Sequence, residues 1–309
     1  MKMEAPSPFK AGINCKTVDS ISTSEITSVY KEFFQTDVSR FFSGIDRITI
    51  QECPVTGLEF FYPTGLDGDS KFYEDLSKGE WYYQTERWEN RQSLHFIKEG
   101  DRVLEIGAGS GHFGLFLKNE ISDINYCGLE LNQQAVQRAM EQGLDMRLES
   151  SHEHFQSNAL QYDVVCSFQV FEHVSNIAQL YQDAIGLLKP GGLLLVAVPN
   201  NEARFLRRNS MYSKVLNMPP HHVNLFTPQS LEKSGTFFGL KTLAILKEPL
   251  MPLNRDTYLY NLVNRLFMGF SIMTRAFWRL KLHYLLRPIA HFFRNSITGH
   301  TVFIAYRKP

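Results

Sequence analysis

Three glycines at alternate positions, Gly107, Gly109 and Gly111, follow the apolar segment 102–106 and precede residues with helical apolar spacing. Glycines between a strand and a helix allow a tight turn and let a ligand approach the bare backbone. Glu130 ends the next apolar segment, where a carboxylate can accept hydrogen bonds from the paired hydroxyls of a ribose. The pattern predicts a nucleotide-containing cofactor, and because residues 109–114 satisfy GxGxxG, a dinucleotide is one candidate.

Three histidines are candidates for acid–base chemistry. His173 follows Glu172 after an apolar segment, and His221 and His222 form a tandem pair before the last predicted core helix. Imidazole is suited to take a proton from an acceptor hydroxyl, although a purely structural hydrogen bond is an equal alternative for His173. The chain has no HxxxH or CxxC set, so the sequence predicts no metal site.

The order of apolar segments along the chain predicts a β-sheet that would position these residues. From about residue 81, apolar segments alternate five times with segments of helical spacing, which indicates an α/β domain with a parallel sheet. Thr227 and Pro228 form a cap and first-turn pair that opens the last core helix. Residues 240–246 and 301–306 are predicted as a terminal pair of strands.

The segment 103–111 (VLEIGAGSG) resembles the first motif of class I S-adenosylmethionine (SAM) methyltransferases, in which an acidic residue, here Glu105, stands two positions before the first glycine. That residue is foreign to the dinucleotide fingerprint, so SAM is favoured over NAD. Four further segments resemble the later motifs of the same family: 126–130, 162–174, 187–192 and 221–227. The resemblance covers residues 83–248 and the final strand. Within this family, the chain is similar to the quinone-biosynthesis and cell-envelope-sugar branches. The resemblance implies a seven-stranded Rossmann-like sheet.

The resemblance also implies a set of cofactor-binding residues and an activity. The cofactor-binding positions are Glu105, Gly107, Ala108, Gly109, Gly111, Glu130, Leu131, Ser150 and Gln169. The implied activity is transfer of the SAM methyl group to a small molecule or glycan, with oxygen as the acceptor atom and His173, His221 and His222 as catalytic candidates. A quinone or phenolic O-methyltransferase and a catalytically silent SAM-fold binding module are the alternatives.

Residues 1–80 are predicted as a separate module or lid that precedes the core at 81–249. The segment 47–63 resembles the second knuckle of a zinc ribbon, but Val18 and Thr56 replace two of the four thiols that accompany Cys15 and Cys53. The module is therefore expected to fold by packing, without zinc. An aromatic group (Tyr73, Trp81, Tyr82 and Tyr83) is predicted to be core or a lid over the cofactor and acceptor.

A helical, aromatic and basic insertion, residues 250–297, separates the core from the final strand at 298–309. The insertion is predicted either to pack on the core as a lid or a homodimer interface, or, because of its basic charge, to make peripheral contact with an anionic membrane. The whole chain has 32 basic and 32 acidic residues, which argues against nucleic acid as a partner. The first 20 residues contain no apolar leader, so we expect a cytoplasmic protein, peripheral to the inner face of the membrane where the insertion makes contact.

Overall fold

The computed structural model describes residues 5–77, 87–203, 217–267 and 271–309. The strands are β1 (Lys16–Ser22), β2 (Arg47–Glu52), β3 (Glu59–Tyr62), β4 (Arg102–Ile106), β5 (Asn125–Leu129), β6 (Asp145–Arg147), β7 (Tyr162–Phe168), β8 (Leu188–Pro199), β9 (Asn224–Leu225), β10 (Lys241–Pro249) and β11 (Thr298–Arg307). The helices are α1 (Thr23–Phe34), α2 (Ser70–Ser77), α3 (Trp88–Ser93), α4 (His112–Glu120), α5 (Gln133–Glu141), α6 (Ser151–Asn158), α7 (Ile177–Leu187), α8 (Pro228–Phe237), α9 (Arg255–Leu266), α10 (Ser271–Arg279) and α11 (His283–Phe292).

The central sheet has seven strands in the order β10-β11-β8-β7-β4-β5-β6. Strands β4 to β8 are parallel, and β11 runs antiparallel to both β8 and β10. The predicted seven-stranded α/β sheet with its terminal antiparallel pair is therefore confirmed. The chain reverses its direction of winding between β4 and β7, and a crevice for ligands forms where the carboxyl ends of such strands diverge.

Strand β8 shows why the sheet is buried on both faces. Val196 and Val198 belong to one hydrophobic cluster, whereas Leu195 and Ala197 belong to the cluster on the opposite face. Successive side chains of a strand point to opposite faces, so an unbroken apolar run is stable only between two packed layers.

The N-terminal residues form a second sheet, which is antiparallel and has the order β1-β2-β3-β9. Its last strand is residues 224–225, so the module predicted for residues 1–80 takes one strand from the far end of the core. Cys15 and Cys53 lie in the same hydrophobic cluster as Leu104 of β4. Residues on both sides of the domain boundary predicted at residue 80 therefore pack in one hydrophobic cluster.

The insertion folds as three short helices, α9 to α11, around a small cluster that includes Leu250, Leu259 and Ala290. Its predicted helical character is confirmed. Within the described ranges, every helix falls short of the length and apolar character needed to cross a bilayer.

Candidate cofactor and acceptor site

The glycine turn is tied to the end of the neighbouring strand. The backbone N–H groups of Gly107 and Ala108 each donate a hydrogen bond of 2.9 Å to the carbonyl oxygen of Leu129, the last residue of β5. The turn thus lies across the carboxyl ends of β4 and β5. Its backbone borders the crevice of the sheet.

Two of the glycines cannot be replaced without strain. Gly107 and Gly111 have φ angles of +76° and +78°, in the left-handed region that side chains disfavour. A Cβ atom at Gly107 would lie 2.4 Å from Cγ2 of Val170, and one at Gly111 would lie 2.3 Å from Cδ1 of Leu144. The backbone conformation and the close neighbours of the turn therefore require glycine at both positions.

Backbone donors hold the Glu130 carboxylate beside this turn. Its Oε2 accepts from the Gly109 N–H, and its Oε1 accepts from the N–H groups of Leu131 and Asn132, each at 2.8 Å. A carboxylate has about four acceptor positions, so one remains for a ligand hydroxyl.

Exposed leucines follow the ends of β5 and β6. Leu131 is 66% exposed, and Leu148, just beyond the end of β6, is 52% exposed. Because β5 and β6 are paired, both leucines lie past the same edge of the sheet. Exposed apolar side chains at this edge suit contact with a flat apolar ring. The sequence prediction included Leu131 and missed Leu148, which belongs to no motif.

Two predicted cofactor-binding residues have internal partners in the structure. The Glu105 carboxylate is buried and accepts a hydrogen bond of 2.5 Å from the Tyr126 hydroxyl, and burial raises its pKa to about 8. Ser150 is the N-cap of α6 and shares a capping box with Glu153. Both side chains therefore support the turn and the helix beside the cofactor region, and direct contact with a cofactor stays a prediction for each.

Gln169 has an unusual backbone at the end of β7. Its φ of +58° lies in the left-handed region, which costs a residue other than glycine about 1–3 kcal/mol, and such outliers cluster at functional sites. Its side-chain N–H donates to the Glu89 carboxylate at 3.0 Å, and the Arg87 guanidinium lies 3.9 Å from the same carboxylate. Glu89 is 3% exposed and was not predicted, since a glutamate on a short helix carries no motif.

The three candidate histidines meet in one cluster, although 48 residues separate His173 from His221 in the chain. The ring centroids of His173 and His221 are 4.8 Å apart, those of His173 and His222 are 4.9 Å apart, and those of His221 and His222 are 4.3 Å apart. His173 belongs to a single helical turn that begins at Phe171, directly beyond β7, and the pair precedes β9. We refer to these three residues as the histidine cluster.

Hydrogen bonds orient two rings of the histidine cluster. Nδ1 of His173 donates to the backbone carbonyl of His221 at 2.5 Å, and Nδ1 of His222 donates to the side-chain oxygen of Asn217 at 2.9 Å. The Asn217 amide is itself fixed because its N–H donates to Asn201. These donations leave the Nε2 lone pair of each of the two rings available to accept a proton.

Burial keeps these two rings neutral. Desolvation lowers the pKa of His173 to about 4 and that of His222 well below its ordinary value. Tyr73 of α2 contacts the cluster edge-on, with its ring centroid 5.7 Å from that of His173. Of the predicted aromatic group, only Tyr73 can be placed, because Trp81, Tyr82 and Tyr83 lie outside the described residues.

Two buried polar residues follow the ends of β7 and β8 and have side-chain atoms without hydrogen-bond partners in the described ranges. Glu172 is 1% exposed, and neither of its carboxylate oxygens accepts a hydrogen bond from any other described residue. Its Oε1 lies 3.7 Å from Nε2 of His173. Asn200, directly beyond β8, is fully buried, and its side-chain N–H groups lack an acceptor within the described ranges. Such groups are costly unless a ligand pairs with them.

A family model described as a methyltransferase domain matches residues 81–245. The chain belongs to this family. The predicted family, the predicted enzyme class and SAM as the cofactor are confirmed, and the dinucleotide alternative is set aside.

Relatives and solved structures resemble parts of this methyltransferase. The ubiquinone biosynthesis O-methyltransferase of Aeromonas salmonicida is 26% identical over 152 residues, covering 46% of this chain and 63% of the relative. The enzyme of that name from Hydrogenovibrio crunogenus is 26% identical over 167 residues, covering 49% and 68%. A SAM-dependent methyltransferase from Archaeoglobus fulgidus (18% identical, TM-score 0.52, covering 76% and 100%) and a phosphoethanolamine N-methyltransferase from Haemonchus contortus (15%, TM-score 0.53, covering 97% and 70%) share the fold.

The methyltransferase has a cradle that fits SAM. The glycine turn excludes side chains at Gly107 and Gly111, and the Glu130 carboxylate keeps one acceptor position. The exposed side chains of Leu131 and Leu148 lie past the same edge of the sheet. Bare backbone, a carboxylate acceptor and apolar side chains are the groups that the methionine, ribose and adenine portions need, and which residue contacts which portion stays a prediction.

Proposed function

We propose that this methyltransferase transfers the SAM methyl group to a hydroxyl oxygen of a small-molecule acceptor. The observation that carries the proposal is the histidine cluster of neutral, oriented imidazoles at the same sheet edge as Gln169. The relatives named as ubiquinone biosynthesis O-methyltransferases support oxygen as the acceptor atom.

Each part of the site has a separate task in this proposal. The turn from Gly107 to Gly111 binds the methionine portion with its backbone, Glu130 binds the ribose, and Gln169 borders the reacting end. Bound SAM supplies a methyl group on a positively charged sulfur, which the acceptor oxygen attacks as the carbon–sulfur bond breaks. The histidine cluster takes the proton that the hydroxyl releases, with an open Nε2 as the acceptor.

An assay of methyl transfer with two acceptor classes tests the proposal. Purified protein is incubated with isotopically labelled SAM and either a catechol-type phenol or a hexose, and the product is identified by mass spectrometry. We expect an O-methylated product and equimolar S-adenosylhomocysteine from one of the classes. A primary amine is assayed in parallel, and methylation of that amine only would contradict the assignment to oxygen. A phenolic product favours the quinone-type alternative, and a methylated hexose favours the glycan acceptor.

We also propose that the insertion docks on an anionic membrane surface. Eleven of the eighteen large hydrophobic side chains exposed in the described part of the chain lie between Leu253 and Phe293. On α11, Leu285, Ile289 and Phe292 are spaced i, i+4 and i+7, so they lie on one face of the helix, and they are 71%, 56% and 80% exposed.

The charges of the insertion favour lipid over a second protein copy. Among the described residues of 250–297, five exposed basic side chains accompany the apolar ones: Arg265, Arg275, Arg279, Lys281 and Arg294. The single acid of the insertion, Asp256, is already paired with Arg287. An apolar face with unbalanced positive charge complements an anionic headgroup layer, whereas two copies would bring like charges together.

Vesicle sedimentation tests this surface. We expect the wild-type chain to bind vesicles containing about 30% anionic lipid, to bind less as salt rises, and to lose binding in a Leu285→Glu/Phe292→Glu variant. Phe33→Glu, which changes a half-exposed aromatic residue of α1, is the matched control and should bind as wild type. Wild-type protein that ignores anionic vesicles, or that forms a dimer which the double substitution dissociates, contradicts the membrane assignment.

A further inference from the structure

The histidine cluster has the composition and spacing of a transition-metal site. The sequence predicts no metal site, because no metal-binding motif is found within a short stretch of the chain. The fold, however, brings together His173 and His221, which are 48 residues apart in the sequence. One ligating nitrogen from each of His173, His221 and His222 lies within 4.8 Å of the others. In a tetrahedral site with metal–nitrogen bonds of about 2.0–2.1 Å, the ligand atoms are about 3.4 Å apart. Movements of about 1 Å or less per ring would therefore close the site.

The surrounding hydrogen bonds match those of ligating histidines. A metal-bound imidazole usually donates its second N–H to a backbone carbonyl or a side-chain oxygen, which fixes the ring and directs the other lone pair to the ion. Nδ1 of His173 donates to a carbonyl oxygen, and Nδ1 of His222 donates to the oxygen of Asn217. Asn217 is held by Asn201 in turn, so this support extends two residues outward.

Glu172 provides an independent observation that points to a cation. The side chain is almost fully buried, and neither oxygen accepts a hydrogen bond from another described residue. Its Oε1 lies 3.7 Å from Nε2 of His173, the nitrogen that is open for ligation. A buried carboxylate with open oxygens is costly by itself and becomes favourable beside a bound dication.

We propose that His173, His221 and His222, with Glu172 beside them, bind one divalent first-row transition cation of the zinc class. Three imidazoles suit this class, because alkaline-earth ions prefer oxygen ligands. Three protein nitrogens also leave a coordination position open, as in catalytic zinc sites.

The inference deepens the proposed function, on which it rests for the placement of the acceptor beside the cluster. An acceptor hydroxyl in the open position would be polarised, so that it releases its proton to solvent more readily before it attacks the methyl carbon. The three histidines would then act together as ligands, in place of one acting as a base.

Metal titration of the full chain tests the inference without reference to activity. After dialysis against a chelator, Zn²⁺ binding is measured by calorimetry, and Co²⁺ binding by its visible absorption. We expect one ion per chain and the strong absorption of a tetrahedral Co²⁺ site. His221→Ala and His222→Ala should each weaken Zn²⁺ affinity by about 100-fold or more, and Asn217→Ala, which removes outer support only, by about 10–100-fold. His95→Ala, at an exposed position, is the matched control and should bind as wild type.

The outcomes separate this inference from the proposed function. If His222→Ala does not fold, as judged by its thermal transition, His173→Gln serves in its place. The metal site is overturned if the wild-type chain shows no stoichiometric Zn²⁺ isotherm, or if the histidine variants bind Zn²⁺ as the wild type does. In that case, O-methylation that persists in the presence of chelator identifies a histidine as the base. Stoichiometric metal with no methylated hydroxyl supports the metal site and instead overturns the proposed acceptor.

Discussion

The two halves of the site differ in how their polar groups are paired. On the cofactor side, the Glu130 carboxylate accepts from three backbone N–H groups, and Ser150 completes a capping box. On the acceptor side, Glu172 and the amide N–H groups of Asn200 lack hydrogen-bond partners in the described ranges. The polar groups of the first half are mostly paired within the described residues, whereas the second half has buried polar atoms that are open to pair with a ligand.

This difference indicates which half of the site binds the cofactor and which half takes part in the reaction. A cradle built from backbone and locally fixed side chains is rigid, so it binds the cofactor without reorganisation. Buried side chains with open polar atoms are costly, and a fold retains them where they meet a ligand or a reacting group. We therefore expect changes on the acceptor side to affect turnover and changes on the cofactor side to affect SAM affinity.

The largest expected effect comes from the histidine cluster. His222→Ala should lower kcat by about 10²–10⁴-fold, whether the ring accepts the proton or binds an ion that polarises the hydroxyl. The dissociation constant for SAM should change by less than about two-fold. Steady-state kinetics with His95→Ala as control provide the measurement. A variant that keeps the wild-type rate would remove the histidines from the chemistry.

A smaller effect is expected on the cofactor side. Glu130→Ala should weaken SAM binding by about 1.5–3 kcal/mol, the usual contribution of hydrogen bonds to a charged group, which is about 10–150-fold in affinity. Glu153→Ala removes a nearby carboxylate that caps α6 and should leave SAM affinity unchanged while lowering stability. Calorimetry on both variants makes the comparison. Equal losses of affinity would show that Glu130 has no specific contact.

The remaining effect concerns the stability of the fold: its dependence on pH through the support beneath the glycine turn. Burial raises the pKa of Glu105 to about 8, so the folded chain keeps a proton that the unfolded chain releases near pH 4.5. This contribution to the free energy of unfolding is fully present below about pH 4.5 and is lost, by up to about 1.4 kcal/mol per pH unit, as the pH rises to about 8.

Glu105→Gln tests this pH dependence. The substitution keeps an acceptor for the Tyr126 hydroxyl and removes the titration. Denaturant unfolding from pH 5 to 8 should show a flatter profile for the variant than for the wild type. Other buried acids, such as Glu248, are common to both proteins and cancel in the difference. Parallel profiles would mean that Glu105 is ionised throughout.

The features that sequence could predict are those carried by contiguous residues. The glycine turn, Glu130 at the end of β5 and the helix that begins after Thr227 each depend on neighbours in the chain, and the structure places them as expected. The seven-stranded sheet follows from the same local alternation of strands and helices. The insertion was predicted to be helical for the same reason.

The features that sequence missed depend on distant contacts. The pairing of β3 with β9 joins residues 59–60 to 224–225, and no local pattern marks a two-residue strand. The hydrogen bond between the Ser150 hydroxyl and Glu153 was not predicted either, and the cofactor contact of Ser150 stays a prediction. Which histidines meet, and the unpaired state of Glu172, emerge only from the folded chain.

A double-substitution cycle on SAM affinity tests most directly the claim that the two halves work separately. Calorimetry measures the SAM dissociation constant of wild type, Glu130→Ala, His222→Ala and the double variant. The account predicts that Glu130→Ala carries the whole loss and that the coupling energy is zero within about 0.5 kcal/mol, as for independent sites. A loss from His222→Ala as large as that from Glu130→Ala, or a coupling above about 1 kcal/mol, would contradict it.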